Sequence, residues 1–273
     1  MPTEETTGDC RCREDALAGH SMQRFLDACV ERAHGVRVLD RLYHPYHIAT
    51  DVGMLAILVF SAWFSVGRPG LNFVGFVVAF AATQAIYMLC RHIRHRLTGA
   101  ATRSFLQDSV LIVLPSFAAA SVLVGNDLSD SLDLAALGLA MGLACIRVGC
   151  FLGGCCYGRP ASWGVLYTPQ HLVTLQGCRS FSSGPPPVGR VLPIQLFEAA
   201  ISILLFSALL AWQTQAPATR GYLLPAYLLG YAVWRFSGDF WRAGSVRPRR
   251  AGLSEAQWCS AAVAIFCACV LAL

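Results

Sequence analysis

An all-α polytopic membrane protein of about seven transmembrane helices, with a small head or cap segment between the fourth and fifth, is the fold class predicted by this 273-residue sequence. Hydrophobic residues make up 55% of the chain and charged ones only 14%, whereas about a quarter of the residues of a soluble domain are charged. Seven apolar runs approach the roughly 20 residues that a helix needs to cross about 30 Å of hydrocarbon, where open backbone groups find no partners. Residues 150–192, rich in Gly and Pro (SSGPPPVG) with Trp163, Tyr167 and Phe181 among them, are too long for a simple connection and read as a small extramembrane cap.

Residues 1–47 form a polar tail with both signs of charge. It lacks the basic start and apolar core of a cleavable signal peptide. Within it, ALAGHSMQRFLDACVERAH has the pattern of a short interfacial helix. A seven-span membrane domain is expected over 48–273, with spans at 48–66, 71–90, 105–124, 132–149, 194–212, 221–237 and 256–273. If the spans alternate, nineteen of the 21 arginines collect on the side of the N-terminus and of RVGCFLGGCCYGRP (147–160), against Arg68 and Arg220 on the other. Counted by charge alone, that side is cytoplasmic. A net charge of +5 held in loops suits anionic lipid, and no nucleic-acid partner is expected.

Ionisable groups inside a span cost at least roughly 2.5 to 3.5 kcal/mol each, which makes them functional candidates. YAVWRFSGDFWRAG spaces Arg235, Asp239 and Arg242 at i, i+4 and i+7, the spacing of one helical face. LPIQLFEAA puts Gln195 and Glu198 one turn into a helix that Pro193 is suited to start. Arg147 ends the fourth span. Three arginines and two carboxylates converging at one boundary describe either a desolvated phosphate site, since guanidinium forks match phosphate oxygens, or a set of interfacial ion pairs. The glycines of CFLGGCCYG allow close approach to a head group or to a neighbouring helix. Cys150, Cys155 and Cys156 lack the paired C-x-x-C spacing of metal sites, so neither a metal nor a cofactor is expected. The seven histidines lie near predicted interfaces and read as solvated.

DLAALGLAMGLACIRVGCFLGGCCYGRPASWGVLY, LPIQLFEAA and YAVWRFSGDFWRAG with GLSEAQW resemble, in order and spacing, the prolipoprotein diacylglyceryl transferase family over residues 130–265. The resemblance implies a seven-span helical fold in the bacterial cytoplasmic (inner) membrane, with an active site open to the periplasm. It implies transfer of the diacylglyceryl group of phosphatidylglycerol, or another anionic phospholipid, to the lipobox cysteine of a prolipoprotein. By the same resemblance Arg147, Arg235 and Glu198 are catalytic, and Arg147, Gly149, Cys150, Gly154, Tyr157, Gly158, Arg159, Gln195, Asp239 and Arg242 bind substrate. Two alternatives keep the fold: another acceptor at the same phospholipid pocket, or a non-catalytic lipid-binding protein. The chain departs from the family pattern with Cys150 in place of Asn, Cys155 of Glu, Leu192 of His and Val52 near the family Tyr. Its third span has no histidine motif, and Asp108 is the one ionisable residue there.

Overall fold

The computed structural model describes residues 21–33, 36–38, 41–98, 112–168, 189–216, 220–243 and 249–272. Asp108, Phe181 and most of the Gly/Pro-rich loop lie outside them. In chain order the elements are α1 (residues 21–32), the hairpin β1 (Val36–Val38) and β2 (Arg41–Tyr43), α2 (Pro45–Val66), α3 (Phe73–Thr98), α4 (Leu114–Leu123), α5 (Leu128–Leu152), β3 (Pro160–Val165), α6 (Ile194–Gln215), α7 (Leu223–Gly238), a 3₁₀ turn (Asp239–Trp241), the hairpin β4 (Arg249–Arg250) and β5 (Leu253–Ser254), and α8 (Glu255–Ala272). The molecule is a helical polytopic membrane protein. Five helices (α2, α3, α5, α6 and α8) are long and apolar enough to cross a membrane. The 16-residue α7 spans about 24 Å at 1.5 Å per residue, a little short of the hydrocarbon thickness.

α5 is the central helix. It packs on α2, α4, α6 and α7, and 56% of its most apolar window is buried against 17 to 33% for the other four long helices. The outer faces present Leu55, Val59, Trp63, Leu204 and Phe266, all more than half exposed, as a lipid-facing surface.

Two boundaries differ from run length for one reason: helices continue through polar residues. α5 starts at Leu128, not 132, because Asp127 caps it by accepting the Asp130 N–H at 3.0 Å, and the buried Asp130 and Asp133 are satisfied inside the protein. Asp130 pairs with Arg68 at 2.6 Å and Arg220 at 3.5 Å, and Asp133 accepts the N–H groups of Gly221 and Leu223 that open α7. These contacts gather the α2–α3, α4–α5 and α6–α7 connections at one end of the bundle. α3 runs on past residue 90 through Arg91, His92, Arg94, His95 and Arg96, an amphiphilic extension beyond the apolar run. Of the third span, the described part is α4, and residues 105–111 fall outside.

The opposite end carries the head segment. α1 lays Leu26 and Val30 against Phe151, Val165, Tyr167 and Val191. Asp27 ties the end of β3 to the segment before α6 that bridges it through Val191: it accepts the Leu166 N–H at 2.9 Å and forms a forked pair with Arg190 at 2.8 and 3.1 Å. Arg190 also donates to the Gly164 carbonyl at 2.7 Å.

Candidate functional site

Three parts of the bundle meet beneath the head: the last turns of α5 with the Gly-Cys turn after it, the first turn of α6, and the end of α7. Glu198, one turn into α6 and fully buried, is the hub. Its Oε1 accepts Arg147 Nη2 at 2.9 Å and the Tyr231 hydroxyl at 2.7 Å, and its Oε2 accepts Arg242 Nη2. Arg235 donates to Asp239 Oδ1 at 3.0 Å, and Asp239 Oδ2 accepts the Ser254 hydroxyl at 2.6 Å. Glu198 also feels the Arg235 charge.

Arg235 and Asp239 keep the expected one-turn spacing, but Arg242 does not share their helical face. α7 ends at Gly238, the 3₁₀ turn rewinds the chain, and Arg242 is extended and bridged to Gly158. That break carries the Arg242 guanidinium across to α6, where Glu198 receives it. Three guanidinium groups against two carboxylates leave one buried positive charge in excess. Among the described residues Arg147 Nε is buried and has no acceptor. A desolvated donor without an acceptor costs on the order of 1 to 3 kcal/mol, and an anionic ligand would supply the missing acceptor.

The glycines are spacers of different kinds. A Cβ on Gly149 would stand 2.8 Å from the Ala49 Cβ and 3.2 Å from the Tyr46 backbone, so α5 approaches α2 through it. One on Gly158 would meet Leu192 Cβ and the Trp241 carbonyl, both at 2.8 Å, and the Leu192 carbonyl at 2.9 Å. Gly158 donates to that Leu192 carbonyl at 2.9 Å, and Arg159 donates to the Trp241 carbonyl at 2.8 Å. This stitches the head to α6 and to the end of α7. Gly154 takes a left-handed φ of 65° and turns the chain after α5.

The remaining expected residues lie outside the charge cluster. Gln195 is fully buried and donates to the Cys155 carbonyl at 2.7 Å and to the Tyr167 hydroxyl at 3.3 Å, so it holds the Gly-Cys turn. Tyr157 packs on Tyr167, with ring centroids 6.1 Å apart. Arg159 is exposed and lines a groove of about 870 Å³ whose walls include Trp163, Phe197, Ile201, Trp234 and Trp241. Such a groove, rimmed by tryptophans and running from the head down between α6 and α7, suits an amphiphile. Cys150 and Cys155 are buried beside the half-buried Cys156. Hydrogen bonds from the Cys150 and Cys155 thiols, with Arg147 and Arg242 acting the same way, hold the Cys156 thiol well below its ordinary range. The same pairing with Cys150 pushes Cys155 well above it.

Sequence reasoning missed Tyr231, Ser254 and Gln257. Tyr231 hides in an apolar run, although it sits one turn before Arg235. Ser254 and Gln257 form a capping box at the start of α8: Ser254 Oγ accepts the Gln257 N–H at 3.2 Å, and Gln257 Oε1 accepts the Ser254 N–H at 2.9 Å. The S-x-x-Q spacing was the available signal.

A family model described as prolipoprotein diacylglyceryl transferase matches residues 109–273, which include all of these site residues. The chain is similar to proteins named phosphatidylglycerol–prolipoprotein diacylglyceryl transferase. One from Erythrobacter litoralis is 33% identical over 137 residues, 47% of this chain and 43% of that protein. One from Clostridium tetani is 30% identical over 136 residues, 49% of each. One from Dehalococcoides mccartyi is 33% identical over 129 residues, 46% of this chain and 44% of that protein. The chain thus spans less than half the length of the curated relatives it matches.

Proposed function

The chain belongs to the prolipoprotein diacylglyceryl transferase family, and we propose that it transfers the diacylglyceryl group of phosphatidylglycerol to the lipobox cysteine thiol of a prolipoprotein in the bacterial cytoplasmic membrane. One observation carries this reading: the buried arginine cluster holds an excess positive charge and an unmatched Arg147 Nε, next to a tryptophan-rimmed groove. The phosphodiester is the anion for the cluster, and the groove accommodates acyl chains. When the acceptor sulfur, its thiol proton released to solvent, attacks the glycerol carbon, the carbon–oxygen bond breaks and its electron pair passes to the phosphate. Arg147 and Arg235 stabilise the charge growing there. Glu198 and Asp239 act as positioning residues that hold the guanidinium forks in register. Gln195, through the Cys155 carbonyl, positions the turn that borders the acceptor.

Complementation of cells depleted of their own transferase tests this reading. A thioether-linked diacylglycerol on the lipobox cysteine of a model lipoprotein is expected by mass spectrometry. An unmodified cysteine with the chain present in the membrane contradicts it. One observation favours a second reading with another acceptor: the 105–124 run has no histidine to serve as a base. In that case the same cells would show turnover of labelled phosphatidylglycerol without lipoprotein modification.

A further inference from the structure

The arginine–carboxylate network makes no use of the three thiols beside it. Cys150, Cys155 and Cys156 bring their Sγ atoms within 4.8 Å of one another, although their spacing in sequence matches no metal-binding pattern. The end of α5 builds this meeting. Gly154 is left-handed, its N–H donates to the Phe151 carbonyl at 3.3 Å, and the Cys155 N–H donates back to the Cys150 carbonyl at 3.1 Å. That is the paired closure of a Schellman motif, which sets the second residue past the helix over the third from its end. Here those two residues are Cys155 and Cys150. Cys156 follows with a φ of 58°, a left-handed backbone that non-glycine residues rarely adopt and that persists where its surroundings enforce it. Gln195 fixes the turn by donating to the Cys155 carbonyl.

Sulfur ligands sit about 2.3 Å from zinc, so a tetrahedral site needs sulfurs about 3.8 Å apart, a contraction of at most about 1 Å from the observed spread. Among the described residues no histidine or carboxylate completes a fourth ligand. Glu198 is taken by Arg147, Arg242 and Tyr231. Three protein ligands and an open fourth position are the pattern of catalytic zinc, not structural zinc. Cys156, the one thiol of the three that is not buried, marks the open side. Zinc(II) leaves one net negative charge on three thiolates, whereas copper(I) leaves two, and the one excess guanidinium charge of the adjacent network offsets the first but not the second. Arg147, assigned to the phosphate, lies one turn before Cys150 on α5, so the thiol cluster sits beside the phosphate group's partner.

We propose that Cys150, Cys155 and Cys156 form an open three-thiolate zinc(II) site whose fourth position takes the acceptor thiol. The acceptor half of the proposal rests on the transferase reading above; the zinc half does not. Sulfur bound to zinc is deprotonated outright, so the acceptor thiol releases its proton to solvent on binding, with no side-chain base. The bound sulfur then forms its bond to the glycerol carbon, the carbon–oxygen bond breaks with its electron pair on the phosphate, and glycerol phosphate departs. The neutral thioether leaves the metal, and the zinc stays divalent throughout.

The test uses the full chain, purified in detergent under argon with a phosphine reductant. Zinc is read by plasma mass spectrometry, and cobalt(II) is loaded in its place for absorption spectroscopy. About one zinc per chain and the sulfur-to-cobalt charge-transfer bands of a tetrahedral thiolate site are expected. Both should fall to near background in Cys150→Ala, Cys155→Ala and Cys156→Ala, and should persist in Cys90→Ala and Cys269→Ala. Should an alanine variant fail to fold, the cobalt spectrum of the unmodified chain still decides. A lipobox peptide should shift that spectrum, and its Cys→Ser version should not. Metal-free protein, metal kept by all three variants, copper(I) in place of zinc, or a disulfide among the three cysteines overturns the site. An unshifted spectrum overturns the acceptor role. Transfer by zinc-free protein would refute the acceptor role and leave the transferase reading intact; one bound zinc without transfer activity would refute the transferase reading and the acceptor role with it, and leave the zinc site standing.

Discussion

Glu198 accepts from Arg147, Tyr231 and Arg242 at a position without solvent exposure, so the site's charges are organised around one carboxylate. Removing one member of a buried charge network leaves its partners desolvated and unpaired, at about 3 to 5 kcal/mol. Glu198→Gln should therefore lower the thermal midpoint in detergent far more than Tyr231→Phe, which removes one hydrogen bond to a charged group at about 1.5 to 3 kcal/mol. Equal shifts, read by differential scanning fluorimetry, would show that Glu198 is not the hub. At this scale the sequence was informative where the cost of polar groups in apolar runs was the signal: Arg147, Glu198, Arg235 and Asp239 stood out that way. Tyr231 did not, because a tyrosine in an apolar run reads as bulk. Nor could spacing alone reveal that Arg242 crosses to α6, since that depends on the helix ending at Gly238.

Among the elements, the head-to-bundle junction turns on Gly158. A methyl group at this position would meet the Leu192 and Trp241 carbonyls within 3 Å, on the segment before α6 and on the 3₁₀ turn after α7. Because the obstructing atoms are largely backbone, they cannot swing aside, and overpacking of this kind costs typically 1 to 3 kcal/mol. Gly158→Ala should loosen the bridge from Gly158 to Arg242 and so release Arg242 from Glu198. Amide exchange at residues 158, 159, 161 and 192 should quicken, while α5 stays protected; unchanged exchange would contradict the assigned role. The spans themselves were legible in run length, because lipid demands continuous apolar helix. Their ends were less so, because Asp127 caps α5 early and the Asp130 carboxylate that run length rejects is satisfied by Arg68 and Arg220.

For the whole molecule, the helices alternate so that the head, α1 and the signature turn share one end, and the Arg68 and Arg220 loops share the other. Charge counting puts the head in the cytoplasm; a secreted prolipoprotein as acceptor requires it outside. Several head-side arginines are engaged in the protein, including Arg147, Arg235, Arg242 and the Asp27 partner Arg190, and so are weaker topology signals than free loop charges. The transferase account predicts that an impermeant maleimide added to whole cells labels Ser162→Cys, exposed on β3, above the parent background. Gly67→Cys, at the other end with open space around it, should stay unlabelled. The opposite pattern would remove the lipoprotein acceptor.

The most direct measurement of the central claim is the mass of a lipobox peptide incubated with the purified chain and phosphatidylglycerol. The account predicts a diacylglyceryl increment on the cysteine, formed at least about 100-fold more slowly by Arg147→Ala, as expected when a donor to the developing charge is lost. A peptide of unchanged mass, or an increment that Arg147→Ala forms at the same rate, would contradict it.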